Sequence, residues 1–170
     1  MAKLIKQGQW VNNDPWHIID DEQDVQDYSI VSLSRWQDNK DSLTEAASAG
    51  KLGIWLDSHE SPDLIEDDCH LFAIIAVNFP VFTDGRGYST TRLLRQRHFY
   101  EGEIRAVGDV LIDQLYLLQR VGFDAFLMRE DQDIEDVLKF FKPFSNAYQS
   151  DVLETRPLYR RRQVADALEA

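Results

Sequence analysis

Five short segments of consecutive apolar residues recur along the chain from residue 29 onward. They are rich in β-branched and aromatic side chains, as strands buried on both faces of a parallel sheet are. The segments are 29–33, 52–56, 72–77, 104–107 and 123–128. Polar residues and apolar positions at helical spacing separate them, so the pattern predicts strands that alternate with helices.

The helical segments also carry signals for their ends. The pattern at 110–121 stops at Gly122, and the pattern at 133–141 is stopped by Pro143. This pattern gives five β–α units. They are too few for a complete eight-stranded barrel, which needs about 250 residues. The predicted fold class is therefore α/β with a mostly parallel sheet, which is either open and doubly wound or an incomplete barrel.

The two ends of the chain differ from this core. Residues 1–28 contain two short apolar stretches on either side of 12–14 and predict a small β-hairpin that forms an antiparallel edge or cap. Residues 145–170 have few apolar positions, and we expect a peripheral extension in which 163–170 form a short helix or a frayed tail. The predicted organisation is a hairpin cap at 1–28, an α/β core at 29–144 and an extension at 145–170.

The chain is strongly acidic, with 18 Lys and Arg against 30 Asp and Glu and a formal net charge of −12. This charge repels nucleic acid and anionic lipid, so we expect neither nucleic acid nor a membrane as a partner. No signal peptide or membrane-spanning segment is recognisable, which favours a cytoplasmic protein. The single cysteine, Cys69, excludes a disulfide framework and cysteine-rich metal or iron–sulfur sites within this chain. We expect no metal and no cofactor.

The densest group of chemically active residues follows the strand predicted at 72–77. Glycines at 85 and 87 permit positive φ and a close backbone approach to a ligand, and Ser89 is suited to begin a helix whose free N–H groups face an anion. Arg86 can hold an oxyanion through two parallel hydrogen bonds. The alternative is a surface loop before an ordinary helix. The predicted anion-binding residues are Thr83, Gly85, Arg86, Gly87, Tyr88, Ser89, Arg92 and Gly108.

A second corner, Gly108-Asp109, follows the strand predicted at 104–107. Loops after neighbouring parallel strands meet at one edge of a sheet, where ligands bind, so we expect this corner to lie beside the turn at 83–89. Asp84 and Asp109 are the predicted catalytic carboxylates. Asp84 can instead orient Arg86, and Asp109 can instead cap its helix. Asp57, Ser58, His59, Asn78 and Arg129 also follow predicted strands and are expected on the same edge.

Seven motifs between residues 79 and 126 resemble one bacterial family. They are Phe79-Pro80, Phe82-Thr83-Asp84-Gly85-Arg86-Gly87-Tyr88-Ser89, Arg92-Leu93-Leu94-Arg95, Tyr100-Glu101-Gly102-Glu103, Arg105-Ala106-Val107-Gly108-Asp109-Val110, Asp113-Gln114-Leu115 and Gly122-Phe123-Asp124-Ala125-Phe126. The family is catalogued as domain of unknown function 934. Its members are often described as oxidoreductases of sulfite reduction, largely because their genes lie beside those for assimilatory sulfite reductase. The resemblance implies no catalytic residues.

The function expected from the resemblance and the residues together is that of a non-redox accessory protein. It would bind a small oxyanion, or dock on sulfite reductase or another enzyme of sulfate assimilation. An oxidoreductase in the strict sense does not fit, because the chain has no dinucleotide fingerprint, no redox dithiol and no ligand set for siroheme iron or an iron–sulfur cluster. The alternatives are a small α/β enzyme with carboxylate acid–base chemistry on an anionic metabolite, and a structural interaction module.

Overall fold

A computed structural model describes residues 3–132 and 137–162 of the chain. Its eight described strands form one sheet in the order β2-β1-β8-β7-β6-β5-β4-β3. The five predicted strands are confirmed as β4 to β8, within two residues at each end, and each pairs in parallel with its neighbour. The strands are β1 (Lys3–Lys6), β2 (Gln9–Val11), β3 (His17–Ile18), β4 (Ser29–Ser32), β5 (Leu52–Leu56), β6 (Ile74–Phe79), β7 (Glu103–Gly108) and β8 (Ala125–Met128).

Helices connect only some of the parallel strands. The α-helices are α1 (Leu33–Ser48), α2 (Arg86–Gln96), α3 (Leu115–Val121) and α4 (Leu138–Phe141). Between β5 and β6 the chain forms the short 3-10 helices Pro62–Ile65 and Cys69–Leu71 instead of an α-helix. The five regular β–α units expected from the sequence are therefore not all formed. The part of the predicted helix at 133–136 lies outside the described residues.

The order of the strands decides between the two predicted architectures. From β3 to β8 each new strand is added on the same side of the previous one, without the reversal of a doubly wound sheet. Right-handed crossovers that all advance in one direction lie on one face of the sheet. Trp36 of α1, Leu94 of α2 and Leu118 of α3 indeed pack in a single cluster against that face. The fold is therefore α/β with an open, mostly parallel sheet that is not doubly wound.

The connection between β2 and β3 shows that this sheet is curled. These strands occupy opposite edges, which seven strand spacings would separate by about 34 Å in a flat sheet. The chain from Val11 to His17 can reach only about 21 Å. The edges must therefore approach each other, around the face opposite the helices. Trp16 packs there against the buried cluster formed by Ile30, Ile74, Ala76 and Val107. We call residues 12–16 the strap.

The N-terminal hairpin exists, but its turn lies at Gln7 and Gly8 and not at 12–14. Both turn residues have positive φ, 51° and 74°, and β1 and β2 pair in antiparallel fashion around them. The apolar stretch after the strap is not a hairpin strand, because it forms β3, which pairs in parallel with β4 at the far edge. β1 also pairs with β8, so the hairpin is part of the main sheet.

The C-terminal part of the described chain, residues 137–162, includes α4 and a helical stretch at 158–162. The tail or helix expected at 163–170 lies outside the described residues. Within the described ranges, none of the helices has the length and apolar character needed to cross a bilayer.

Candidate functional site

The carboxyl ends of β5 to β8 place polar side chains along one edge of the sheet. Alternation along each strand directs Asp57, Asn78, Asp109 and Arg129 to the face opposite the helices. This is the edge at which parallel α/β sheets bind ligands. We call it the rim and define it by Asp57, Ser58, Asn78, Asp84, Arg86, Asp109, Arg129 and Asp131.

The two predicted corners lie side by side on the rim. Phe79 is the register partner of Gly108, and the backbone N–H of Phe82 donates to Asp109 Oδ2 at 2.9 Å. Gly108 has a φ of +90°, and a Cβ there would lie 2.5 Å from Asn78 Oδ1. Only glycine allows the backbones to approach this closely. The expected adjacency of the turn and the Gly108-Asp109 corner is confirmed.

Asp84 holds Arg86 through a paired contact. Arg86 Nη2 donates to Asp84 Oδ2 at 2.6 Å, and its Nε and backbone N–H donate to Oδ1 at 2.9 and 3.1 Å. The second contact of Nη2 is Ser58 Oγ at 2.8 Å. These hydrogen bonds from Arg86 keep the pKa of Asp84 well below its usual range. Asp84 is thus the anion at the start of α2, ionised at neutral pH and unsuited to donate a proton.

Asp109 and Asp131 together hold Arg129. Arg129 Nη1 donates to Asp109 Oδ1 at 2.6 Å, and its Nε donates to Asp131 Oδ1 at 2.6 Å. These hydrogen bonds to two carboxylates raise the pKa of Arg129. Both guanidinium groups of the rim are therefore already neutralised. Since the rim as defined has four carboxylates and two guanidinium groups, an added oxyanion would enter an edge of net negative charge.

The helix that follows the turn begins earlier than the sequence indicated. α2 starts at Arg86 with Gly85 as its N-cap, so the prediction that Ser89 begins the helix is wrong. Asp84 Oδ1 accepts the N–H of Arg86 and moves the start forward by three residues. Gly85 has a φ of −84°, and Gly87 lies inside the helix, so neither supplies the expected positive φ. Gly87 is needed for another reason, because a Cβ there would lie 2.6 Å from the Phe79 ring.

The remaining predicted residues are dispersed. Thr83 and Ser89 are exposed. Tyr88 is half-buried and packs edge-on against Phe79, with ring centroids 5.7 Å apart. Arg92 does not reach the rim, since it lies on the outer side of α2 beside α3 and residues 149–152. The structure therefore divides the predicted anion-binding set between two places.

Two contacts of the rim involve residues outside the predicted set. Asn78 Nδ2 donates to Asp57 Oδ1 at 3.0 Å, and Gln114 Nε2 donates to the carbonyl oxygen of Phe82 at 3.0 Å. Asn78 was expected on this edge from its place after a predicted strand, and its contact with Asp57 confirms that position. His59 Nδ1 lies 3.6 Å from Asp57 Oδ2, so the pair after β5 does come together.

The loop between β6 and α2 presents apolar side chains beside these polar contacts. Val81 is 52% exposed and Phe82 is 53% exposed. The backbone of Phe82 is nevertheless fixed on both sides, through its N–H to Asp109 and its carbonyl to Gln114. In residues 3–132 and 137–162, no three histidine, cysteine or acidic side chains are grouped so that they could hold a metal ion.

Comparison with known proteins gives one finding. The family model described as a bacterial protein of unknown function, DUF934, matches residues 53–159, which include β5 to β8 and the whole rim. Searches of curated proteins and of solved structures found no match. Since the matched region covers more than half of the chain, this protein belongs to the DUF934 family of bacterial proteins.

Proposed function

We propose that this protein is a non-redox accessory protein that docks through the rim on a basic surface of a partner enzyme. The resemblance described above makes sulfite reductase, or another enzyme of sulfate assimilation, the partner to test. The observation that carries the proposal is the exposed Val81-Phe82 pair, in which the Asp109 carboxylate and the Gln114 side chain fix the backbone of Phe82.

The loop is arranged as a preorganised contact. Its two apolar side chains are about half exposed, whereas hydrogen bonds from Gln114 and to Asp109 fix the backbone of Phe82. A group that is already ordered loses less conformational entropy when it binds. Aromatic side chains that enter a pocket of the partner often dominate binding energy. Phe82 therefore has the properties of an anchor residue.

The negative charge of the rim favours a partner with a basic surface. Four carboxylates against two guanidinium groups leave it negative, on a chain whose formal net charge is −12. A basic protein surface is attracted to such an edge without breaking its internal pairs. A small oxyanion, by contrast, is repelled by the net negative charge of the rim. Docking therefore has more support at the rim than binding of an oxyanion.

The enzyme alternative has less support from the same contacts. A general acid or base works best with a pKa near the working pH, whereas the hydrogen bonds from Arg86 lower the pKa of Asp84. Asp109 is occupied by Arg129 and by the N–H of Phe82. If the purified protein alone converts an anionic metabolite, the enzyme alternative replaces the accessory role.

Binding to immobilised sulfite reductase tests the proposal by biolayer interferometry. We expect saturable binding that weakens as salt is raised. Replacing an anchor residue of this kind weakens binding by about 30-fold, and we expect this for Phe82→Ala. The matched control is Phe99→Ala, because Phe99 is also exposed but lies before β7, at the opposite end of the strands.

Two results would contradict docking through the rim. One is the absence of binding to sulfite reductase and to the other sulfate-assimilation enzymes. The other is an equal loss of affinity in the Phe99→Ala and Phe82→Ala variants, which would point to a surface away from the rim.

A further inference from the structure

A cleft lies on the outer side of α2, away from the rim. One cavity of about 220 Å³ is lined by α2, α3 and residues 149–152, and a second of about 390 Å³ extends to Tyr148 and Tyr159. The two cavities share Arg92, Gln149 and Ser150, so they form one continuous depression. We call it the Arg92 cleft.

The wall of the cleft opposite α2 is fixed to the core. Arg120 of α3 donates through Nε to Asp151 Oδ2 at 2.7 Å and through Nη2 to the carbonyl oxygen of Gln149 at 2.8 Å. The N–H of Val152 donates to the carbonyl oxygen of Arg120 at 3.1 Å. Asp151 also accepts the backbone N–H groups of Leu153 and Glu154. The cleft is therefore a formed feature of the fold.

Arg92 differs from the arginines of the rim in its partners. Its Nε donates to Gln96 Oε1 at 2.9 Å, and among the described residues it forms no ion pair with a carboxylate. Arg160, whose guanidinium lies 5.9 Å from the Tyr159 ring centroid, also forms none within residues 3–132 and 137–162. Arg92 thus brings an uncompensated positive charge into the cleft, and Arg160 lies next to Tyr159 of its lining, on a chain of net charge −12. A planar guanidinium with free N–H groups fits an oxyanion through two parallel hydrogen bonds.

Aromatic rings adjoin this charge. Tyr148 is 79% exposed and Tyr159 is 57% exposed, and both line the larger cavity with Arg92. Exposed aromatic rings bind flat rings by stacking. Ser150, which lines both cavities, adds a polar side chain to the lining of the cleft.

We propose that the Arg92 cleft binds an organic phosphate or sulfate monoester that carries a flat ring. The oxyanion pairs with the free N–H groups of Arg92, and the ring lies against Tyr148 and Tyr159. This site is separate from the docking surface at the rim, so either proposal can hold without the other.

Calorimetric titration of the full chain with phenyl phosphate, phenyl sulfate and inorganic phosphate tests the proposal. We expect saturable binding of at least one ester, with inorganic phosphate about tenfold weaker because it lacks the ring. Arg92→Gln removes the proposed hydrogen-bonded ion pair with the oxyanion and should weaken ester binding by about tenfold or more. Arg92→Gln is expected to fold, because Arg92 is exposed and bonds only Gln96 among the described residues.

Arg97→Gln is the matched control, since it removes one positive charge near the end of the same helix, outside the cleft, where Arg97 pairs with Asp63. We expect its affinity for the ester to stay within about twofold, because its charge is exposed and screened. Tyr148→Ala should reduce the preference for the esters over inorganic phosphate. The proposal fails if neither ester binds, if inorganic phosphate binds as tightly as the esters, or if Arg97→Gln and Arg92→Gln lose affinity equally.

Discussion

Arg105 forms an ion pair at 2.5 Å with Asp14, although 91 residues separate them along the chain. The Arg105 side chain is 3% exposed and lies on β7, in the middle of the sheet, whereas Asp14 belongs to the strap. The guanidinium of Arg105 also pairs with Glu103 at 2.7 Å, and Glu103 pairs with Lys6 of β1. One buried arginine therefore fastens the strap to the centre of the sheet.

Asp14→Asn should destabilise the protein by about 2 kcal/mol, because it leaves part of a buried positive charge unpaired, although Glu103 remains. Urea denaturation followed by tryptophan fluorescence measures the effect. The control is Asp27→Asn, which removes an exposed pair with Lys51 and should not shift the urea midpoint measurably. An Asp14→Asn midpoint equal to that of the wild type would show that the ion pair does not hold the strap.

Asp84→Asn should reduce stability somewhat more at pH 7 than at pH 3. Folding lowers the pKa of Asp84 because Arg86 donates hydrogen bonds to it. A carboxyl of this kind stabilises the folded state above its ordinary pKa of about 3.9 and loses that contribution as the pH falls toward its folded pKa. Urea midpoints at both pH values measure the difference. Asp67→Asn, at an exposed carboxylate away from the rim, should give a difference from wild type that does not depend on pH in this way.

Gly108→Ala should destabilise the protein by about 2 kcal/mol or more, since alanine is strained at positive φ and its Cβ meets the Asn78 side chain. Gly85→Ala should change stability by less than about 1 kcal/mol, because a Cβ there has open space at a φ of −84°. Thermal unfolding compares the two variants. Equal losses would mean that close contact at the rim does not depend on Gly108.

Arg95→Lys should destabilise the protein by about 2 kcal/mol or more, although the charge is kept. Arg95 donates to the carbonyl oxygens of Tyr100, Gly102 and Gly122 and also pairs with Asp124. One ammonium group cannot reach all these acceptors. The control is Arg92→Lys on the same helix, which should unfold at nearly the wild-type urea concentration. Wild-type stability of Arg95→Lys would show that the charge alone suffices.

Cys69 should react slowly with a thiol reagent until the protein unfolds. It is fully buried, its thiol donates to the carbonyl oxygen of Glu66 at 3.4 Å, and burial raises its pKa. A raised pKa reduces the thiolate that attacks such reagents. Labelling with 5,5′-dithiobis-(2-nitrobenzoic acid) at increasing urea should follow the unfolding curve. Rapid labelling of the native protein would mean that this segment opens locally.

Local sequence patterns predicted the strands well because burial on both faces requires consecutive apolar residues. They also predicted the adjacency of the Phe79 and Gly108 corners, since parallel neighbours end at one edge. The pattern was less informative where a single side chain decides the geometry. The carboxylate of Asp84 starts α2 at Arg86, and Arg92 lies on the outer side of that helix, away from the rim. Residue type alone made Ser89 an equally suitable helix cap, so it could not indicate where α2 begins.

Contacts between distant parts of the chain could not be read from the pattern. The polar stretch at 12–14 has the composition of a turn, yet it forms part of the strap because Asp14 meets Arg105. Equally, the sequence shows arginines and carboxylates in the rim segments but not their pairing. Arg86 and Arg129 are neutralised by Asp84 and Asp109, whereas Arg92 is not.

The pairing of β1 with β8 affects the order in which the parts of the sheet can form during synthesis. β1 leaves the ribosome more than a hundred residues before β8, the strand with which its open side pairs. Until then the nascent hairpin has no partner for its open side. Pairing between strands that lie so far apart in sequence is slow to form. Completion of the sheet must therefore be a late event, which cannot precede the synthesis of β4 to β7 between the hairpin and β8.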